Sequence, residues 1–258
     1  MKDYLTEQWR ALLLHNNLDS FDRLWAVDAV WVEPPNERRG GWSGVSRCEL
    51  DLPEGGKVGV FLKRQENHIT RTMLHPFGIP TFVREIHNIL LFKRAAVPAL
   101  EPVYFAVRKN SGDLRAILCT VALDGYLPLE ALVDKWTKEG WPARSRCRQL
   151  MRAVADVLTR MHDHKIQHNC FYPKHIFVCD HEEQIKVRLI DLEKAKVVLM
   201  RRFATCRDLY TLNRHSPRWS RTDRLRFLLL YLGVKRLDHH AKALWRQIAR
   251  RTRRKGYG

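Results

Sequence analysis

The strings IQHNCFYPKHIFV (residues 166–178) and VRLIDLE (residues 187–193) decide how this chain is read. Each sets a short β-forming run beside a polar element. In the first, Ile166 opens and Ile176-Phe177-Val178 closes a loop carrying His168, Cys170 and His175. In the second, a mainly apolar run from Val187 ends at Asp191. The bridge between them, DHEEQ (180–184), is polar and turn-forming. Just upstream, Arg144–Lys165 is the clearest helix in the chain. Leu150, Met151, Val154, Val157, Leu158 and Met161 recur at helical spacing, with arginines opposite. That stripe is a core face, and it serves to deliver His168 to a cleft.

The bulk numbers bound the answer. A chain of 258 residues can bury a large core, as one large domain or two lobes. A hydrophobic fraction of 45% belongs to a globular protein. There is no run of about 18 apolar residues, so no membrane-spanning helix is expected. The start, Met1-Lys2-Asp3-Tyr4, lacks the apolar stretch of a signal peptide. The six cysteines (48, 119, 147, 170, 179, 206) contain no C-x-x-C pair. A zinc site is therefore not expected, and a reducing, cytoplasmic location is. Charge is lopsided: residues 201–258 hold 17 Lys and Arg against 3 Asp and Glu, a net +14, while the preceding 200 carry +4. Such a segment calls for an anionic partner: lipid, a phosphorylated substrate or nucleic acid.

Upstream of the deciding strings, residues 1–30 read as a helical extension that packs onto the rest of the N-terminal half. WVEPPNERRGGWSGV (31–45) places prolines and glycines between two extended segments. Gly41 and Gly44 there are either candidates to let backbone approach a nucleotide phosphate or parts of an ordinary hairpin. Lys57–Arg64 reads as a strand, and within it the apolar run from Val58 ends in Lys63, a phosphate-binding candidate or a surface lysine. HPFGIP (75–80) reads as a loop and Thr81 as the N-cap of a helix over 82–91, with Val83, Ile86, Ile89 and Leu90 on its buried face and Glu85 bordering it. Strands over 103–107 and 116–121 complete a lobe of about five strands and one helix. LDGYLP (123–128) is a non-helical hinge, where the Leu123 backbone would meet an adenine. Asp208 either caps a helix or accepts backbone N–H bonds from the His168 loop. The last helix, with Ala241, Leu244, Trp245 and Ile248 on its apolar stripe, ends in Arg250, Arg251, Arg253, Arg254 and Lys255.

The order helix, His-led loop, strand, turn, strand, Asp resembles the catalytic core of protein-kinase-like phosphotransferases, where H-R-D-x-x-x-x-N precedes D-F-G. The strings WVEPPNERRGGWSGV, HPFGIPTFVRE, QHNCFYPKHIFV and LIDLEKAK, with RDLYTL and RTDRLRFL further on, are similar to the lipopolysaccharide core kinase family (Kdo/WaaP type), most of all to its InaA-type branch. The resemblance spans residues 31 to 196 and implies an α+β, protein-kinase-like bilobal fold. Its parts would be an N-lobe antiparallel sheet with one helix (31–122), the hinge (123–128) and a mainly helical C-lobe (129–258) with a basic C-terminal helix.

The resemblance implies ATP and Mg²⁺ as cofactors and a heptose or Kdo sugar of the lipopolysaccharide core as acceptor, at the cytoplasmic face of the inner membrane. It assigns Lys63 to the phosphates, Glu85 to orienting Lys63, His168 to the loop, Asp191 to the metal and His175 to a second metal contact. It also implies peripheral contact with the anionic membrane through Arg250, Arg251, Arg253, Arg254 and Lys255. A nucleic-acid partner is not expected, because that basic run lacks interleaved aromatic residues. Cys170 stands where the wider kinase pattern has its catalytic Asp. A thiol is a poor proton acceptor at neutral pH unless its pKa is lowered. The alternative reading is therefore a stress-related pseudokinase or nucleotide-binding scaffold that transfers nothing.

Overall fold

A computed structural model of the chain describes residues 2–38, 40–72, 75–181 and 184–253. The chain divides into two compact units, the first running up to Ile89 and then from Leu100 to Asp124, the second taking Leu90–Ala99 and everything from Gly125 on.

The first unit is built on an antiparallel sheet. In chain order its elements are β1 (Tyr4–Leu5), α1 (Glu7–His15), α2 (Phe21–Trp25), β2 (Trp31–Arg38), β3 (Gly41–Asp51), β4 (Lys57–Glu66), β5 (Ile69–Thr72), β6 (His75–Pro80), α3 (Thr81–Arg94), β7 (Pro102–Asn110) and β8 (Asp113–Val121). The sheet order is β1-β7-β8-β4-β3-β2. The first 30 residues are thus not helical throughout: Tyr4–Leu5 pairs with β7. Leu12 and Leu13 of α1 and Phe21 and Leu24 of α2 enter the sheet's core with Val60, Leu62 and Val103. The stretch 75–80, expected as a loop, is a strand paired with β5. Its prolines are tolerated because a two-stranded ribbon leaves outward N–H positions unpaired.

The centre of the unit is β4, and its period of two sets the site. Val60, Leu62 and Arg64 point to the layer of α1 and α2. Arg64 donates to the carbonyls of Trp25 and Val27 at 2.7 and 2.8 Å. The intervening residues Lys63 and Gln65 point to α3. Gln65 Oε1 accepts from Thr81 Oγ1 at 2.8 Å and from the Phe82 N–H at 3.2 Å. The cap of α3 is therefore this strand amide, with Thr81 as the first helical residue rather than its N-cap.

The second unit contains β9 (Leu127–Pro128), α4 (Leu129–Glu139), α5 (Arg144–Asp163), β10 (Ile166–Gln167), β11 (Ile176–Asp180), β12 (Ile185–Leu189), β13 (Lys196–Val197), α6 (Arg201–Arg214), α7 (Arg221–Leu232) and α8 (His239–Arg253). One small sheet has the order β12-β11-β9, and β10 pairs with β13. The α5 stripe from Leu150 to Met161 is buried. Ser220 caps α7, accepting from the Asp223 N–H at 3.1 Å, and Gly233 closes it at φ 67°. On α8, Ala241, Leu244 and Ile248 are buried and Lys242, Arg246, Arg250 and Arg251 are exposed. Arg254, Lys255 and the side chain of Arg253 lie outside the described residues. No helix among the described residues is long and apolar enough to cross a membrane.

Candidate active site

The structure gathers the candidate residues into two groups, one in each unit. In the first, Lys63 Nζ lies 2.5 Å from Glu85 Oε1. Lys63 sits on the α3-facing side of β4, and Glu85 lies one turn beyond the Gln65 cap. The side chains are only 18% and 8% exposed. At that burial an unpaired charge would be costly, so each needs the other.

In the second unit the loop after β10 is held from below by Asp208 on α6. This carboxylate is fully buried. It accepts from the N–H groups of His168 and Asn169 at 2.8 and 2.9 Å, with His162 Nε2 at 3.2 Å. His162 Nδ1 in turn meets the Tyr231 hydroxyl at 2.8 Å, and Tyr231 meets Thr205 Oγ1 at 2.7 Å. Of the two roles open for Asp208, accepting loop amides is the one observed. Asn169 has φ 68°, a left-handed conformation that Asn tolerates better than most residues.

His168 and His175 clamp the residue before Asp191. The Ile190 N–H donates to the His175 carbonyl at 3.1 Å, and its carbonyl accepts from His168 Nε2 at 3.1 Å. Asp191 then adopts φ 56°, ψ 57°, a left-handed conformation that Asp tolerates better than most residues. Its carboxylate is 38% exposed, with Oδ2 3.4 Å from His175 Nδ1. That Nδ1 donates to the Cys170 carbonyl at 2.9 Å. His168, Cys170, His175 and Asp191 thus form one connected group.

The remaining candidates are less distinctive. A Cβ on Gly41 would stand 2.0 Å from the Glu66 carbonyl oxygen, and one on Gly44 would stand 2.7 Å from the Trp31 ring. Packing within the unit already demands glycine at both. Leu123 follows Ala122, whose N–H donates to the Gly59 carbonyl at 2.8 Å, and is half-buried. Sequence reading missed Gln65, the His162–Tyr231–Thr205 chain, and Arg207, which donates to Asn169 Oδ1 at 3.1 Å. No local pattern marks such partners, since each meets its mate across elements that are separate in the chain.

A family model described as the lipopolysaccharide kinase (Kdo/WaaP) family matches residues 22–231. The chain belongs to the lipopolysaccharide kinase (Kdo/WaaP) family. Protein InaA of Escherichia coli (strain K12) is 34% identical over 199 residues, covering 76% of this chain and 88% of that protein. A solved structure of WaaP in complex with acyl carrier protein superposes with a TM-score of 0.70 over 98% of this chain and 99% of that one, at 21% identity. That likeness is one of fold, and the fold is kinase-like.

In this Kdo/WaaP chain the groups differ in what they can do. His168 is fully buried, and burial pushes its pKa below the usual imidazole value. Its Nε2 carries the proton given to Ile190, and its buried Nδ1 has no partner among the described residues. Fully buried, it is placed to brace the loop through the Ile190 carbonyl. Cys170 is 7% exposed. Burial, and then the Asp191 carboxylate, push its thiol up, so at neutral pH it is protonated. Mg²⁺ prefers oxygen ligands and commonly takes one or two carboxylates plus substrate phosphates. Asp191 fits that role as a partly exposed carboxylate. His175 Nδ1 does not, because its proton is committed to the Cys170 carbonyl; only Nε2 is left. No group of three or more His, Cys, Asp and Glu among the described residues could hold a metal by itself.

Proposed function

We propose that the protein is an ATP-dependent kinase that phosphorylates an inner-core sugar, heptose or Kdo, of lipopolysaccharide at the cytoplasmic face of the inner membrane. The observation that carries this reading is the Lys63–Glu85 pair at 2.5 Å, in a member of a lipopolysaccharide kinase family. A lysine fixed by a carboxylate keeps its direction and still has two donors for phosphate oxygens. Asp191 would hold Mg²⁺, which when bound neutralises phosphate charge during transfer. The Ile190 clamp by His168 and His175 aims Asp191, and Asp208 holds the loop that presents Cys170 to the acceptor hydroxyl. Leu123 supplies backbone groups for the adenine. The exposed basic face of α8, with Arg250 and Arg251, suits an anionic membrane and glycolipid.

The protonated Cys170 thiol favours a second reading, a pseudokinase that binds nucleotide without transferring phosphate. Loss of a general base typically costs ~10²–10⁴-fold in rate, while positioning and charge neutralisation supply most of phosphoryl transfer. We therefore favour slow transfer over none. The test is Mg·ATP stabilisation by thermal shift in wild type and Asp191→Ala, followed by transfer assays on Cys170→Asp. Stabilisation lost in Asp191→Ala, with transfer at least tenfold faster in Cys170→Asp, is expected. Stabilisation with no transfer in either protein would leave the pseudokinase. No stabilisation at all would overturn both readings.

A further inference from the structure

Among the exposed large apolar side chains, the densest group lies just after the Asp191 loop. Val197 is 60% exposed, Leu199 81%, Met200 36% and Phe203 47%. This is not a segment hanging loose. Lys196 and Val197 pair with Gln167 and Ile166. The Val198 N–H donates to the Lys165 carbonyl at 2.9 Å, and the Phe203 N–H donates to the Met200 carbonyl at 3.0 Å as α6 begins. The backbone is pinned while these side chains point to solvent. Scattered exposed apolar residues are ordinary, but a fixed group of four marks a contact surface.

The charges around the group say what covers it. Lys194, Lys196 and Arg202 are exposed, as is Arg201, whose Nε lies 3.0 Å from Asp163 Oδ1, and no acidic residue occurs between Glu193 and Asp208. The Arg202 guanidinium lies 5.3 Å from the centre of the Phe203 ring, so a cation and an apolar face share one position. α6 and α8 run side by side in the same direction: Cys206 meets Gln247, Arg251 lies over Tyr210, and Asn213 donates to Thr252. The apolar group therefore sits at the α8 end that presents Lys242 and Arg246. A second copy of this surface would bring like charges together. An anionic bilayer offers an apolar interior beneath a negative surface.

We infer that Lys196–Phe203 is an interfacial membrane anchor. Val197, Leu199, Met200 and Phe203 enter the headgroup–acyl boundary while the flanking lysines and arginines meet lipid phosphates. The inference rests on the membrane-face reading above and deepens it. The anchor begins five residues after Asp191, so it would hold that loop at the depth where a lipid-linked sugar presents its hydroxyls.

The test is partitioning of the full chain onto vesicles of phosphatidylethanolamine and phosphatidylglycerol, against phosphatidylcholine alone. Wild type is expected to bind the anionic vesicles. The double variant Leu199→Ser/Phe203→Ser should bind on the order of 100-fold more weakly, about tenfold per side chain. Leu199→Trp, which stays apolar, should bind like wild type. Lys242→Gln/Arg246→Gln should lose about fivefold per charge. Equal partitioning of wild type and the double serine variant would overturn the anchor. So would a wild-type dimer in solution that the serine variant dissociates, because a second copy would then be the occupant. Mg·ATP stabilisation in the same preparations separates the two claims. Stabilisation without vesicle binding sinks the anchor alone; binding through Leu199 and Phe203 without stabilisation sinks the kinase reading alone.

Discussion

Replacing Asp208 with Asn removes one charge and almost no volume, so its effect reports on the anchor under the His168 loop. Oδ2 accepts from the His168 N–H at 2.8 Å and faces His162 Nε2 at 3.2 Å, and Oδ1 accepts from the Asn169 N–H at 2.9 Å. An amide can turn its oxygen to only one side. Its NH₂ group then faces a backbone N–H, and one buried donor is left unsatisfied at about 1–3 kcal/mol. The bonds that survive lose their charge assistance, about 1–2 kcal/mol together. The total is about 2–5 kcal/mol, and a domain of 150–250 residues loses roughly 2–4 °C of Tm per kcal/mol. Asp208→Asn should therefore melt about 4–20 °C below wild type by calorimetry. The amides of His168 and Asn169 should lose protection from hydrogen exchange ahead of the α5 core. A variant that melts within about 1 °C of wild type with both amides still protected would refute the reasoning.

Glu85→Gln should weaken Mg·ATP binding about tenfold, because Lys63 loses its charged partner; titration calorimetry measures this, and unchanged affinity would remove Lys63–Glu85 from the site. Gly41→Ala should destabilise by about 2–3 kcal/mol through overpacking against the Glu66 carbonyl, with Mg·ATP affinity intact; the reverse pattern would make Gly41 a nucleotide contact. The depressed His168 pKa has a definite sign. The folded protein stays neutral where the unfolded chain takes up a proton near pH 6.5. This contribution is complete above about pH 6.5 and is lost as pH falls below it toward the folded value. Urea midpoints should fall between about pH 7 and 5.5, and less steeply in His168→Gln; equal slopes would show that burial of this imidazole is not the cause.

Much of the candidate site is legible in the sequence because the chemistry needs particular residue types at particular places. Lys63 closing an apolar strand and Glu85 beside the buried stripe of the next helix are candidates, and the resemblance to the kinase pattern pairs them. Asp191 after a β run and His168 after a long amphipathic helix are read the same way. For Asp208 the sequence leaves two roles open, a helix cap and an acceptor for the His168 loop. Packing makes the choice: β10 and α5 close onto α6 and bring the His168 and Asn169 amides and His162, itself held by Tyr231 of α7, to one carboxylate. The roles of Gly41 and Gly44 are equally hidden, because a glycine required by a neighbouring carbonyl or ring looks the same as one required by a phosphate. His75–Pro80 reads as a loop since its prolines suppress the strand signal, and the pairing with β5 supplies it.

Period and residue type, both local properties, located the main helices, most strands and the polar loop; the kinase-like α+β architecture and the Lys63–Glu85 pairing came from the resemblance of those strings to a known family. Availability of each group was settled by the fold. Burial made His168 a neutral brace and kept the Cys170 thiol protonated, one proton committed His175 Nδ1 to a carbonyl, and a pinned backbone left Leu199 and Phe203 in solvent. Each of these depends on what surrounds an atom in space, and a linear pattern of residue types holds no record of that.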